Sequence, residues 1–166
     1  MSEHFSSTLA RVDYGETYGR LTGLLNGVEM IYSFGHIFGV GPGCYALARG
    51  AYFGHTMDAH NIYGQLFGEL GIPGAIIWFL FIGYTIFNLL TVRKTLREMG
   101  KEKTFLFYLA TGLLVSLVVR LFISMGSHGL YYFYWYVLGA MSAAMIVIVK
   151  GKAQDLASEQ MELKSA

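Results

Sequence analysis

Six polar side chains in this 166-residue sequence stand close to apolar runs and have types suited to chemistry: Arg20, Arg49, His60, Asn61, Glu69 and Arg120. Arginine holds phosphate well, because its planar fork bonds two oxygens at once and stays charged. Histidine exchanges a proton near neutral pH. Arg20 heads one apolar helical pattern and His60 heads the next, so the two suit anion binding combined with removal of a proton from a hydroxyl. Each also has a purely structural reading, and a spacing of 40 residues does not choose between them. No P-loop, no GxGxxG behind a strand, no HExxH, no GxSxG and no cysteine pair is present.

The elements that must position these residues follow from periodicity. Leu21, Leu24, Leu25, Val28, Ile31 and Tyr32 recur at helical spacing, with Asn26 and Glu29 off the stripe. An amphipathic helix is expected there, and the polar interruptions at Asn26, Glu29 and His36 argue against a membrane crossing. Residues 39–56 carry five glycines and a proline and read as a loop or a series of short turns. In that setting Arg49 reads as a solvated charge, with a second phosphate contact as the alternative. His60 and Asn61 then start a helical run through Tyr63, Leu66, Phe67 and Leu70, which meets a break at Gly71-Ile72-Pro73-Gly74. Close to that break, Glu69 either orients a partner or bonds backbone amides.

Composition sets the class. Hydrophobic residues make up 54% and charged residues only 14% of the chain, which points to a membrane protein. A formal charge of +1, with the basic residues gathered in one short loop, sets nucleic acid aside. Three spans are expected, at about 71–92, 104–124 and 130–149, giving an all-α integral membrane fold with an outer region over residues 1–70 that holds the amphipathic helices. The segment 93–103 has five basic residues against two acidic ones, and Lys150 and Lys152 follow the third span. By the positive-inside rule both ends face the cytoplasm, together with the tail 150–166. The 1–70 region and the turn at 125–129 then face outward, with the YYFYWY belt at 131–136 at an interface. Arg120 near the outer end of the second span reads as snorkelling, or as facing an anionic headgroup. His128 reads as a structural residue of the turn, His4 as a tail residue and Cys44 as packing. Gly112 and Gly139 suggest close helix approaches. A metal bound by His36, His55, Asp58 and His60 fits no fixed ligand spacing, and no cofactor is expected.

Residues 1–19 show neither a basic n-region nor an apolar h-region. About 70 outward residues would then need earlier spans to carry them across, so the chain is expected to be the C-terminal part of a longer multi-span protein.

The stretch GRLTGLLNGVEMI, then FGVGPGCY, then AHNIYGQLFGELGIPG and a long apolar run resembles the C-terminal half of the O-antigen ligase and polymerase family of bacterial membrane glycosyltransferases. The resemblance covers about residues 18–149 and lies in the order of the elements: Arg20, the turn at 39–43, His60-Asn61, then Glu69, Gly71 and Gly74. It implies metal-independent transfer of a glycan from an undecaprenyl-diphosphate carrier to an acceptor hydroxyl, on a glycan, lipid A core or another molecule, at the outer side of the bacterial plasma membrane. Arg20 would hold the donor diphosphate, assisted by Arg120 or Arg49. His60 would act at the reacting centre, as base for the acceptor or stabiliser of the leaving diphosphate, with Asn61 and Glu69 in support. Leu24 and Leu25 stand where the family often has an aromatic residue, and an arginine that the family carries in an earlier outer loop has no counterpart here. The competing expectation is a small non-enzymatic membrane subunit whose outer loop docks a partner.

Overall fold

The computed structural model describes residues 19–165; the segment 1–18, with His4, lies outside the described residues. Every regular element among those residues is a helix: α1 (19–32), α2 (Tyr45–Phe53), α3 (Ile62–Glu98), α4 (Phe105–Ile123) and α5 (Phe133–Ser165). Three of them, α3, α4 and α5, are long and apolar enough to cross a membrane. The chain divides into two compact units, one formed by residues up to Trp78 together with Leu121–Leu130, the other by Phe79–Arg120 with the residues from Tyr131 on.

In the first unit α1 packs by a face that apolar periodicity does not find. Leu21 and Leu25 are 56% and 55% exposed, and Tyr32 is exposed as well, while Asn26, Met30 and Ile31 are buried. Leu21 and Leu25 therefore point away from the core of this unit. The cause is a pair of glycines one turn apart. A Cβ on Gly23 would overlap the carbonyl of Ala59, one on Gly27 would overlap the carbonyl of Gly64, and one on Gly64 would come within 2.6 Å of the Gly23 oxygen. Small residues at four-residue spacing let two backbones approach this closely. One turn further along α3, Gly68 leaves room for the Tyr45 ring and the Met30 sulfur; Met30, Tyr45 and Ala59 form the centre of this core.

The glycine-rich stretch is also not all loop. YALARGAYF folds as α2, because its Ala, Leu and Arg residues favour helix and Gly54 closes it in the left-handed conformation, donating its N–H to the Gly50 carbonyl.

A third feature of this unit is the break in α3. Gly71 has φ 63° and ψ −162°, a combination open essentially to glycine alone, and Pro73 has no N–H to offer the Glu69 carbonyl four residues back. The loop before α2 supplies what the helix lacks. Val40 N–H bonds the Gly68 carbonyl at 2.8 Å, Gly41 N–H bonds the Glu69 carbonyl at 3.0 Å, and the freed Ile72 N–H bonds the Ile37 carbonyl at 2.9 Å. A Cβ on either Gly39 or Gly71 would strike the backbone opposite. Such a break survives near hydrocarbon only where its backbone groups are satisfied again.

The second unit is conventional by comparison. Leu89, Val92, Leu96, Ala110, Met145, Ile146 and Val149 form its core, so side chains from α3, α4 and α5 interlock. Asn88 donates to Ser142 Oγ at 3.4 Å within it. At the α3–α4 turn, Lys101 N–H bonds the Leu96 carbonyl around Gly100 in the left-handed conformation, the Schellman arrangement. Gly139 does meet a neighbour, the Phe81 ring, but Gly112 faces open space, which removes the expected close approach there.

Candidate functional site

The head of α3 gathers the candidate residues of the first unit. Asn61 is its N-cap: its Oδ1 accepts the Gly64 N–H at 2.5 Å, satisfying a donor that the first turn leaves free. Its Nδ2 donates to the carbonyls of Arg20 at 2.7 Å and Ala59 at 3.0 Å. One buried amide thus ties the start of α1 to the start of α3, so Arg20 lies beside the segment that carries His60 although 40 residues separate them in sequence. His60 itself has φ 51°, which is uncommon outside glycine and recurs for His, Asn and Asp. Its side chain is exposed.

The turn after α4 completes the cluster. Ile62 N–H bonds the Ser124 carbonyl at 3.0 Å, Tyr63 O–H bonds the Leu121 carbonyl at 3.2 Å, and Gln65 Oε1 accepts from Gly129 and Leu130 N–H at 3.4 and 3.3 Å. These bonds hold the turn against α3. The imidazole of His128, exposed on that turn, comes edge-on to His60 with ring centres 6.0 Å apart. Arg20 reaches the same turn, its guanidinium 3.5 Å from the position of a Cβ on Gly126. Two imidazoles and a guanidinium therefore share one exposed corner. That is an arrangement able to hold an anion and to accept a proton beside it. In the sequence His128 reads only as a structural residue of the turn, because nothing local reveals that the 125–129 turn folds against residues more than 60 positions earlier.

The other candidates have different surroundings. Arg49 is 4% exposed, so the solvated-charge expectation is overturned. Its Nη1 donates to the Asp58 carbonyl at 3.0 Å, and its Nε donates at 3.0 Å to the Asn26 amide oxygen when that amide is turned to give its nitrogen to the Thr22 carbonyl. Arg49 thus fastens α2 to α1 and to the chain ahead of His60. Next to it, the Tyr45 O–H donates to the Gly23 carbonyl; burial pushes this phenol up to about 12, with the Arg49 charge opposing. Glu69 is buried and bonds a backbone amide, Oε2 accepting the Gly43 N–H at 2.9 Å, with Gln65 Nε2 3.4 Å from Oε1. It secures the turn before α2. Arg120 belongs to the second unit, in the last turn of α4, where its Cζ stacks 4.0 Å above the Tyr134 ring.

Among the described residues no three His, Cys, Asp or Glu side chains converge as a metal site. Comparison with protein-family models, with curated proteins and with solved structures finds no match for the chain.

Proposed function

We propose that this chain is part of a bacterial plasma-membrane glycosyltransferase, an O-antigen ligase or polymerase, which moves a glycan from undecaprenyl diphosphate to an acceptor hydroxyl at the outer membrane face. The observation that carries the reading is the placing of the Arg20 guanidinium against the same 125–129 turn that brings His128 to His60, beside a helix apolar enough to cross the membrane. Arg20 holds the donor diphosphate. The acceptor oxygen attacks the anomeric carbon, His60 takes the hydroxyl proton, and the bond from that carbon to the phosphate oxygen breaks, its electron pair leaving with undecaprenyl diphosphate. His128 adds a second imidazole that can carry positive charge towards the developing phosphate. The donor, the acceptor and membrane lipid are its partners, and residues of the resembled family's earlier outer loops would complete the pocket.

The left-handed backbone at His60 offers a clean test. In cells that build the polymer, His60→Gly removes the imidazole at a position whose φ glycine accepts freely, so the protein should accumulate normally while transfer falls by about 10²-fold or more. Arg20→Ala should likewise remove transfer, with Arg20→Lys restoring only part of it. Normal polymer or decorated acceptor in both His60→Gly and Arg20→Ala cells would overturn the assignment. A second reading, a non-catalytic subunit docking a partner, takes support from the exposed Leu21, Leu25 and Tyr32 stripe on α1. Under that reading, polar substitutions along the stripe abolish function and His60→Gly does not.

A further inference from the structure

The loop between α1 and α2 carries two adjacent apolar side chains with little protein around them: Ile37 is 51% and Phe38 80% exposed. On a surface facing water this is an unfavourable arrangement, and contiguous exposed apolar surface marks an interaction site. The height of this pair relative to the membrane follows from the repair of the α3 break. The charge-free run before Arg93 is Leu70–Val92; counting back from Arg93, the roughly 30 Å of a bilayer's hydrocarbon takes about 20 residues of helix and so reaches Ile72 or Pro73, just past the break. Ile72 therefore lies at the hydrocarbon boundary. Its N–H is the group bonded to the Ile37 carbonyl, so the loop tip is held at the same level. Just past the break the exposed residues of α3 are apolar: Ile72, Ile76, Ile77, Phe79 and Leu80. On the other side Glu69 of α3 and its N-cap Asn61 are buried in protein.

We propose that the Ile37–Phe38 tip is a membrane anchor, seated among lipid chains just inside the boundary where α3 begins its span. The occupant of this surface is bilayer lipid because Ile37 is bonded through its carbonyl to Ile72, the residue from which the exposed apolar side chains Ile72, Ile76 and Ile77 of the lipid-length part of α3 begin. The N–H groups of Ile37, Gly39, Val40 and Gly41 on either side of Phe38 are all bonded within the protein, which lowers the cost of bringing this backbone next to hydrocarbon. The anchor rests on helix length, hydrogen bonding and exposure alone, and stands or falls apart from the glycosyl-transfer reading.

The test uses the protein in phosphatidylethanolamine and phosphatidylglycerol vesicles. With Cys44→Ser as background, a nitroxide is attached at Phe38→Cys, at Ile77→Cys on the span, and at Met57→Cys in the loop ahead of His60. Collisions with molecular oxygen, which concentrates in lipid, are compared with collisions with a water-soluble nickel chelate. The label at 38 should favour oxygen several-fold, as the label at 77 does. A preference for nickel, as at 57, would overturn the anchor by placing the tip in water, and low collision rates with both would overturn it by showing the tip covered by protein. Phe38→Trp, which keeps the aromatic bulk, gives an independent reading should the cysteine variant fail to fold. Its added emission should be quenched by lipids brominated high on the chain, and quenching by aqueous iodide instead would overturn the proposal.

Discussion

The two compact units are held together by different means. In the first, backbone meets backbone: Gly23, Gly27 and Gly64 bring α1 onto α3, and Gly39 and Gly71 bring the loop onto the break. Buried polar side chains, Arg49, Asn61 and Glu69, then tie the segments to one another's main chain, and Asn26 holds the Arg49 side chain. In the second unit the glycines at 83, 112 and 151 face open space, and the core is made of interlocking aliphatic side chains. The difference separates two kinds of tolerance. An aliphatic core accepts other shapes of similar volume, whereas a backbone contact accepts one residue type.

Substitution of glycine by alanine tests that contrast most directly. The largest effect is expected at Gly71→Ala, where a conformation open only to glycine combines with an overlap on the Ile37 carbonyl. A cost of about 3 kcal/mol or more should appear as loss of folded protein in thermal unfolding in detergent; unchanged stability would show that the break is not held as described. A smaller effect comes with alkaline pH. The Tyr45 phenol titrates near 10 in the unfolded chain and is pushed up to about 12 by burial. The stability it contributes is complete below pH 10 and is lost between about pH 10 and 12. Tyr45→Phe should remove that part of the pH dependence, read from the unfolding temperature against pH; an identical alkaline slope in the variant would rule Tyr45 out as its source. The smallest effect is expected at Gly112→Ala, which fills open space in the middle of α4 and should leave stability unchanged or raise it by about 0.5–1 kcal/mol. A marked loss there would show that the second unit also depends on close backbone contacts.

The all-helical membrane architecture was legible because it depends on local quantities: uninterrupted apolar length and the basic residues that end it. Much of the corner around His60 was not. Apolar periodicity counts side chains, so it chose the leucines of α1 and passed over Gly23 and Gly27, whose importance lies in having none. Arg49 sits among glycines and so looked like a loop charge, yet its burial depends on Asn26 and on the Asp58 carbonyl from other segments. His128 gains its meaning from hydrogen bonds that Gln65 and Ile62 make to the turn. Asn61 was visible as a residue at the start of a helix, but its second task, holding the Arg20 carbonyl, is a contact across 41 residues.

The exchange of hydrogen bonds at Gly71 also limits how this region can vary among related chains. Val40 and Gly41 meet carbonyls 68 and 69 while carbonyl 37 meets the N–H of residue 72, so both strands of the repair are counted against each other residue by residue. A single insertion or deletion between 37 and 41 would misalign at least one of these partners beside hydrocarbon. Length changes should therefore gather in residues 54–58, outside the repair, and the five residues 37–41 should keep their number even where their identities drift.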